Sequence, residues 1–137
     1  MDIVRKVMAV RSTTDGQIDW SLAIDPEVNR DLIAPDVEID LSRRVFNPEV
    51  YRGLEGLARL RDELLQVWTE WRMTPVRFLD VGDRVVLIEH IRGRARGSGV
   101  ELDIPSATIW TLLDGRVTRV EGGLDPDEAL KAVGLEA

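Results

Sequence analysis

Apolar and polar positions in the middle of the chain follow two different periods. One set of apolar residues recurs at steps of three and four: Leu57, Leu60, Leu64, Val67 and Trp71. This spacing predicts a helix of about four turns with one buried stripe. Residues 37–41 instead alternate, which predicts a strand with Val37, Ile39 and Leu41 on one face and Asp40 on the other.

From Arg72 onward the apolar positions recur every second residue. This period predicts four antiparallel strands, at residues 72–81, 84–96, 100–113 and 116–123. Gly97-Ser98-Gly99 and Asp114-Gly115 mark two of the turns, and Asp-Gly favours a two-residue hairpin with positive φ angles. Pro75 predicts an edge position or a bulge, and Pro105 predicts a bulge that curves the sheet.

Shorter helices are predicted towards both ends. Residues 2–11 have helical spacing, and Asp25-Pro26 supplies a cap and a first helical residue for a helix that ends near Ala34, before Pro35. Asp125-Pro126 repeats this pattern for a terminal helix that ends at Gly134. Residues 17–24 are ambiguous, and one helical turn is predicted at 47–49.

This order of elements predicts an α+β fold in which helices cover one face of a curved, mostly antiparallel sheet. The 137 residues are expected to form a single domain, 1–137, with one core. A long helix that lies in a curved sheet leaves a cone. Such a cone is often partly unfilled, which makes it a candidate pocket for a small molecule.

The composition narrows the classes of partner and compartment. A formal net charge of -7 argues against nucleic acid, because phosphate contacts need an excess of Lys and Arg. The absence of cysteine excludes disulfides and thiolate metal sites, and it fits a reducing cytoplasm. Charges interrupt the apolar run at the N-terminus, so neither a signal peptide nor a membrane contact is expected.

Three features carry a resemblance to a known family. The segment PDVEIDLS…YRGLEG, the long helix ending in Trp68 and Trp71, and the ending IWTLLDGRVTRVEGGLD resemble SnoaL-like proteins of the superfamily of ketosteroid isomerase and nuclear transport factor two. The resemblance covers roughly Asp25 to Leu135, whereas residues 12–31 depart from it. It implies a cone-shaped, cystatin-like α+β roll, a homodimer formed across the sheet, and diverse functions.

Asp40 and His90 are the candidate catalytic residues. Asp40 matches the position of the general base of the isomerase and of the acid of the cyclases, and burial in a dry pocket would suit it to proton transfer. The alternative is a solvated Asp beside Arg43 and Arg44. His90, the one histidine, lies on the face that the resemblance directs into the cone; a structural role is the alternative.

Thr108 and Trp110 share a face of the next strand. The position of Thr108 matches a protonated Asp in the oxyanion hole of ketosteroid isomerases, and no Tyr in the first helix matches the second donor. Both departures argue against steroid isomerase activity. Thr108 can still donate one hydrogen bond, and Trp110 is a pocket wall or a core residue.

The remaining candidates would shape the pocket rather than react. Val120, Gly122 and Leu124 are predicted to line it from one face of the last strand, with Gly122 widening the space. Arg92 could bind an acidic ligand, although exposed strand charges that prevent edge pairing are the commoner explanation. Further aromatic candidates for the pocket are Trp20, Tyr51 and Trp68.

Three functions remain open. The first is an enzyme without metal or cofactor that acts on a hydrophobic carbonyl compound through Asp40 and His90. The second is a non-catalytic domain that binds an apolar small molecule. The third is a homodimeric interaction module whose cone is filled by Trp68 and Trp110. An enzyme needs at least two polar groups within hydrogen-bond reach of one point of the pocket. A binding domain instead needs mostly apolar walls with one or two orienting groups.

Overall fold

The computed structural model describes residues 18–19, 33–43 and 49–134. Within these ranges it contains seven strands and two helices. The strands are β1 (Ile18–Asp19), β2 (Ile33–Asp40), β3 (Val50–Arg52), β4 (Trp68–Val81), β5 (Arg84–Ala95), β6 (Glu101–Leu113) and β7 (Arg116–Leu124). The helices are α1 (Gly53–Val67) and α2 (Pro126–Ala132).

The strands form one mixed sheet in the order β1-β4-β5-β6-β7-β2-β3. The pair β2–β7 is parallel and the other five pairs are antiparallel. The predicted α+β fold, with a mostly antiparallel sheet around a long helix, is confirmed. No helix in the described ranges is long and apolar enough to cross a membrane.

One face of the sheet packs against α1 and is called the helix face here. It is defined by Ile39 on β2, Leu87 and Ile91 on β5, Trp110 on β6 and Val120 on β7. These residues form one buried cluster with Leu57 and Leu60 of α1. The apolar stripe predicted for the helix therefore does face the sheet, and its burial is the main apolar contribution to the fold.

The opposite face of the sheet is called the outer face, and α2 covers part of it. Val86, Ile109 and Leu124 form a second buried cluster with Ala129 and Val133, at the C-terminal end of the chain. The central strands are therefore buried on both faces where α2 covers the sheet. This explains why β5 and β6 contain nearly continuous apolar runs.

The predicted turn and cap signals are confirmed. Asp114 and Gly115 have φ angles of 51° and 77°, as a two-residue hairpin between β6 and β7 requires. The Asp125 carboxylate accepts a hydrogen bond of 2.9 Å from the backbone N–H of Glu128, which caps α2. Gly134 has a φ of 82° just beyond the end of α2.

The long helix ends four residues earlier than its apolar spacing suggests. Trp68 already has extended backbone angles, and Trp71 lies on β4 directly opposite Gly93 of β5. A residue four positions after Val67 continues a helical stripe, but an extended strand can bring it to the same buried face. Pairing with β5 decides between the two geometries.

Only one of the two prolines produces a bulge. Pro75 pairs with Glu89 and Arg77 with Ile88, so Val76 is an extra residue on β4, as predicted. Pro105 instead lies in an unbroken register with β5. It precedes Ala107, where the pairing of β6 with β7 starts, so its missing N–H costs no bond to that strand.

The other predictions near the N-terminus fall mostly outside the described residues. The predicted helix at 2–11, residues 25–32 of the helix predicted to end near Ala34, residues 47 and 48 of the helical turn predicted at 47–49, and Trp20 all lie there. Ile33 and Ala34, the predicted end of the second helix, belong to β2 instead. Pro35 is compatible with that strand, since the residue before a proline favours extended geometry.

Loss of the α2 cap should destabilise the protein. Replacing Asp125 with Ala removes the bond to Glu128 and should lower the free energy of unfolding by about 1 kcal/mol in a denaturant titration. Asp127→Ala is the control, because it removes a first-turn charge but no side-chain cap, and its cost should be smaller. Equal losses in the two variants would contradict the capping role.

Candidate functional site

A buried glutamate lies at the centre of the helix face. Glu89 is on β5 between Leu87 and Ile91, both of the apolar cluster around α1, and is 1% exposed. Neither carboxylate oxygen has a hydrogen-bond partner among the described residues. Burial raises the pKa of Glu89 to about 8, so the carboxyl group is mostly neutral at pH 7.

Polar side chains on β6 lie next to Glu89. Ser106 is directly opposite it, and Thr108 is opposite Leu87, one position further along the same face. Both are buried. Ser106 Oγ donates to the Leu124 carbonyl at 3.5 Å, while Thr108 Oγ1 accepts a 2.7 Å bond from Trp110 Nε1. Thr108 therefore still has its hydroxyl hydrogen to donate.

Four of the predicted pocket residues lie on the β6 and β7 part of this face. Thr108 and Trp110 lie side by side on β6, and Val120 is opposite Trp110 on β7. Gly122 is near Thr108, but it does not widen the space as predicted. A Cβ there would lie 2.7 Å from Leu41 Cδ2, so the Leu41 side chain already occupies the volume.

Leu124 lies on the outer face, contrary to the prediction. Ile109 pairs with Glu121 and Ala107 with Leu124, so β7 has one more residue than β6 in this stretch. Gly123 has a φ of 73°, which suits this bulge. The extra residue reverses the alternation, and Leu124 packs beside Ala129 in the second cluster.

Asp40 also lies on the outer face, where its carboxylate is held in a polar network. Ser42 donates to Oδ1 from its hydroxyl at 2.5 Å and from its backbone N–H at 3.0 Å, and Arg119 donates to Oδ2 at 3.0 Å. The Ser42 bonds, with the charge of Arg119, lower the pKa of Asp40. The dry environment expected of a general base is absent here.

Arg119 is the centre of this network. Its guanidinium also contacts Glu38 at 2.9 Å and Glu121 at 2.7 Å. It thereby joins β2 and β7, the one parallel pair of the sheet. The geometry indicates that Asp40 contributes to this strand pairing.

His90 shares a face with Ile88 and Arg92, as predicted, but that face is the outer one. Its Nε2 contacts Asp103 Oδ1, its side chain is 42% exposed, and Arg92 pairs with the same carboxylate at 3.6 Å. Three strand spacings across the sheet and four residues along it separate His90 from Asp40, roughly 20 Å in all. One small molecule cannot bridge them.

Two predicted aromatic residues occupy other parts of the core. Tyr51 on β3 is fully buried; its hydroxyl contacts Glu63 of α1 and Arg59 lies 4.7 Å above its ring. The Trp68 ring lies 5.0 Å from the Trp71 ring, tilted by 54°, near the end of α1. Trp68 lies on the helix face with Glu89, but several residues away along the strands.

Glu89 was not among the predicted residues, although its signal is visible in the sequence. Val85, Leu87 and Ile91 alternate with polar or outer-face residues, and Glu89 is the one charged residue in that apolar row. The prediction assigned the opposite phase of β5 to the pocket and so selected His90. A shift of one residue exchanges the two faces of a strand.

A shallow groove of about 590 Å³ lies near α2, away from this site. It is lined by Pro105, Asp125, Pro126, Asp127, Glu128 and Lys131. None of the predicted site residues lies in it, and its walls combine three carboxylates with two prolines and one lysine. Within the described ranges no group of three or more His, Cys, Asp or Glu residues could hold a metal ion.

The raised pKa of Glu89 predicts a pH-dependent stability. The pKa of Glu89 in the folded protein, about 8, exceeds its ordinary value of 4.5. The stability that depends on neutral Glu89 is therefore fully present below about pH 4.5 and is lost as the pH rises to about 8. Relative to wild type, Glu89→Gln should gain about 1.4 kcal/mol of unfolding free energy per pH unit in this window. Urea titrations at several pH values measure it.

Glu55→Gln provides the matched control, because Glu55 is exposed on α1. This variant should keep the wild-type loss of stability between pH 4.5 and 8. Parallel stability profiles for wild type and Glu89→Gln would show that Glu89 ionises normally in the folded protein.

Solved structures share the fold across most of this chain. A putative SnoaL-like polyketide cyclase from Jannaschia sp. CCS1 has a TM-score of 0.70 at 19% identity, covering 96% of this chain and 89% of its own. A ketosteroid isomerase-like hypothetical protein from Catenulispora acidiphila, crystallised with trimethylamine, has a TM-score of 0.68 at 17% identity, covering 98% and 93%.

TerC, co-crystallised with polyporic acid, has a TM-score of 0.66 at 20% identity and covers 96% of this chain and 95% of its own. At these identities the likeness establishes the fold, one found in small-molecule-binding, isomerase and cyclase proteins. No curated protein sequence matches the chain. The SnoaL-like domain family matches residues 22–120. The predicted resemblance is confirmed, and the chain belongs to the family of SnoaL-like domain proteins.

Proposed function

We propose that this protein binds a hydrophobic carbonyl compound on the helix face and catalyses acid/base chemistry on it, with Glu89 as the proton donor. The observation that supports this most directly is the buried Glu89 carboxyl, which has no hydrogen-bond partner among the described residues. An unpaired buried acid is unfavourable in the free protein, and a ligand with a hydrogen-bond acceptor would supply the missing partner.

The chemistry follows from the protonation state. A neutral carboxyl donates a hydrogen bond to a carbonyl oxygen, and a pKa of about 8 lies close to neutral pH, where a group gives and regains protons readily. The Thr108 hydroxyl, on the neighbouring strand, supplies a second donor. Two donors near one oxygen stabilise the negative charge that develops there.

A balanced step is enolisation of a ketone. The α C–H bond breaks, its proton passes to water, and its electron pair forms the new C=C bond. The carbonyl oxygen takes the proton of Glu89, and solvent reprotonates the carboxylate. Isomerisation, cyclisation and dehydration of carbonyl compounds all proceed through such an enol.

The environment favours an apolar substrate. Leu87 and Ile91 flank the acid on the helix face, and both belong to the apolar cluster around α1. A charged molecule would lose its hydration there without compensation. The predicted homodimer through the sheet remains a prediction of the family resemblance.

A non-catalytic binding domain is the second candidate. The hydroxyl of Ser106 and the oxygen of Thr108 already have partners within the protein. This leaves few free polar groups for catalysis, and one carboxyl in an apolar surface is enough to orient a bound carbonyl. Measuring both binding and α-proton exchange of a ketone separates the two candidates.

The expected activity is exchange of α-protons in an aryl methyl ketone. Wild-type protein should accelerate deuterium incorporation into 2-acetylnaphthalene in D₂O, followed by proton NMR. Glu89→Gln should keep binding, since the amide still donates a hydrogen bond, but exchange should fall at least about 100-fold. The wild-type rate should decline as the pH rises through about 8, where Glu89 ionises.

Asp40→Asn is the control in this assay, because Asp40 faces the other side of the sheet. It should exchange at the wild-type rate. Binding without exchange would favour the binding domain, while a loss of exchange in Asp40→Asn alone would return the proton transfer to Asp40 and contradict the role of Glu89.

A further inference from the structure

A second buried polar group lacks a partner. In the described ranges the unpaired buried side-chain atoms belong to two residues, Glu89 and Trp71, and in Trp71 the atom is the indole nitrogen Nε1. An indole N–H can only donate, so Trp71 needs an acceptor that the described residues do not supply. Leaving such a group unpaired is unfavourable in the free protein.

Both unpaired groups belong to the helix face. Trp71 on β4 is opposite Gly93 of β5, and Glu89 is opposite Pro75. The pair Met73–Ile91 lies between them in the register. Four residues of strand separate Glu89 from Gly93, about 13 Å between Cα atoms. The two groups therefore stand at opposite ends of one apolar row.

The Trp71 ring is held in place by its neighbours. A Cβ on Gly93 would lie 3.1 Å from Trp71 Cε3 and 3.0 Å from Trp68 Cε3, so both rings rest directly on the backbone of β5. The ring centroids are 5.0 Å apart. This packing restricts the direction of the Trp71 N–H and presents two flat aromatic surfaces.

The row between the two groups is apolar and opens to solvent at its side. Met73 is fully buried at its centre, and a Met side chain adapts readily to a neighbouring group. Ile104, directly opposite the buried Ile91, is 42% exposed. An apolar ligand can approach the row from β6 at this position.

We propose that the helix face binds an elongated, flat, apolar molecule with a hydrogen-bond acceptor at each end, one on the Glu89 carboxyl and the other on Trp71 Nε1. The Glu89 end rests on the proposed function; the Trp71 end does not. Aromatic diketones have this chemistry. Trp71 then determines specificity for ligand length, because its donor position is set by packing on Gly93.

The test uses two probes that differ in one acceptor, 2,6-diacetylnaphthalene and 2-acetylnaphthalene. Wild-type protein should bind the diketone roughly 2- to 10-fold more tightly in calorimetric titrations, the range for one added hydrogen bond. Trp71→Phe keeps an aromatic ring but removes the donor, so this preference should disappear while affinity for the monoketone changes little. Its denaturant midpoint should not fall.

Trp68→Phe is the matched control, because it changes the neighbouring ring in the same way and leaves Trp71 Nε1 intact. It should keep the preference for the diketone. In wild type the indole N–H resonance that Trp71→Phe removes should also shift on addition of the diketone and remain in place with the monoketone.

The outcomes are distinguishable. Equal affinity of wild type for both probes, no binding of either, or a preference that survives in Trp71→Phe would each overturn the role of Trp71. Glu89→Leu tests the other end and should weaken both probes equally. If it weakens neither while Trp71→Phe abolishes the preference, the proposed function fails and the Trp71 site stands.

Discussion

The packing of α1 against one face of the sheet is the contact on which the remaining structure depends. Leu57 and Leu60 of the helix share one cluster with residues of β2, β5, β6 and β7. Burial of this stripe removes water from the helix face of the strands that it contacts. It therefore also determines which polar side chains lose their water, and Glu89 is the acid for which this happens.

The two faces give their carboxylates opposite properties. On the outer face Asp40 receives bonds from Ser42 and Arg119, which favour its charged form. On the helix face Glu89 is buried between Leu87 and Ile91 with no hydrogen-bond partner among the described residues, and this burial favours its neutral form. The environments of the two carboxyl groups, rather than their residue types, give them opposite charge states. A neutral carboxyl group suits proton donation to a carbonyl better than an ionised one.

Local irregularities in the strands adjust the site further. The bulge at Gly123 turns Leu124 to the outer face, where it anchors α2, and leaves Gly122 against Leu41. Gly93 allows Trp68 and Trp71 to rest on the sheet at the far end of the helix face. Apolar surface thus extends from Glu89 to the aromatic pair, and at each end one buried polar group has no partner among the residues that the structure describes.

The short strands β1 and β3 were not predicted, but the sequence alone indicated α1 with its apolar stripe, the strands β4 to β7, the Asp114-Gly115 hairpin and the Asp125 cap. Each of these is a local signal, since helix periodicity, turn dihedral angles and capping depend on residues a few positions apart. The family resemblance likewise followed from the order of elements. Thr108 and Trp110 were correctly placed on one face of β6, because alternation within an unbroken strand is also local.

Only the tertiary structure decided which face of β5 packs against α1, and hence that Glu89 rather than His90 is buried. Alternation shows that neighbouring residues point to opposite sides, but β5 is apolar on both, so periodicity could not choose. The polar environment of Asp40 likewise depends on tertiary structure, because its partner Arg119 is 79 residues away in sequence. The end of α1 at Val67 and the bulge at Gly123 also follow from pairing between strands, which no local pattern encodes.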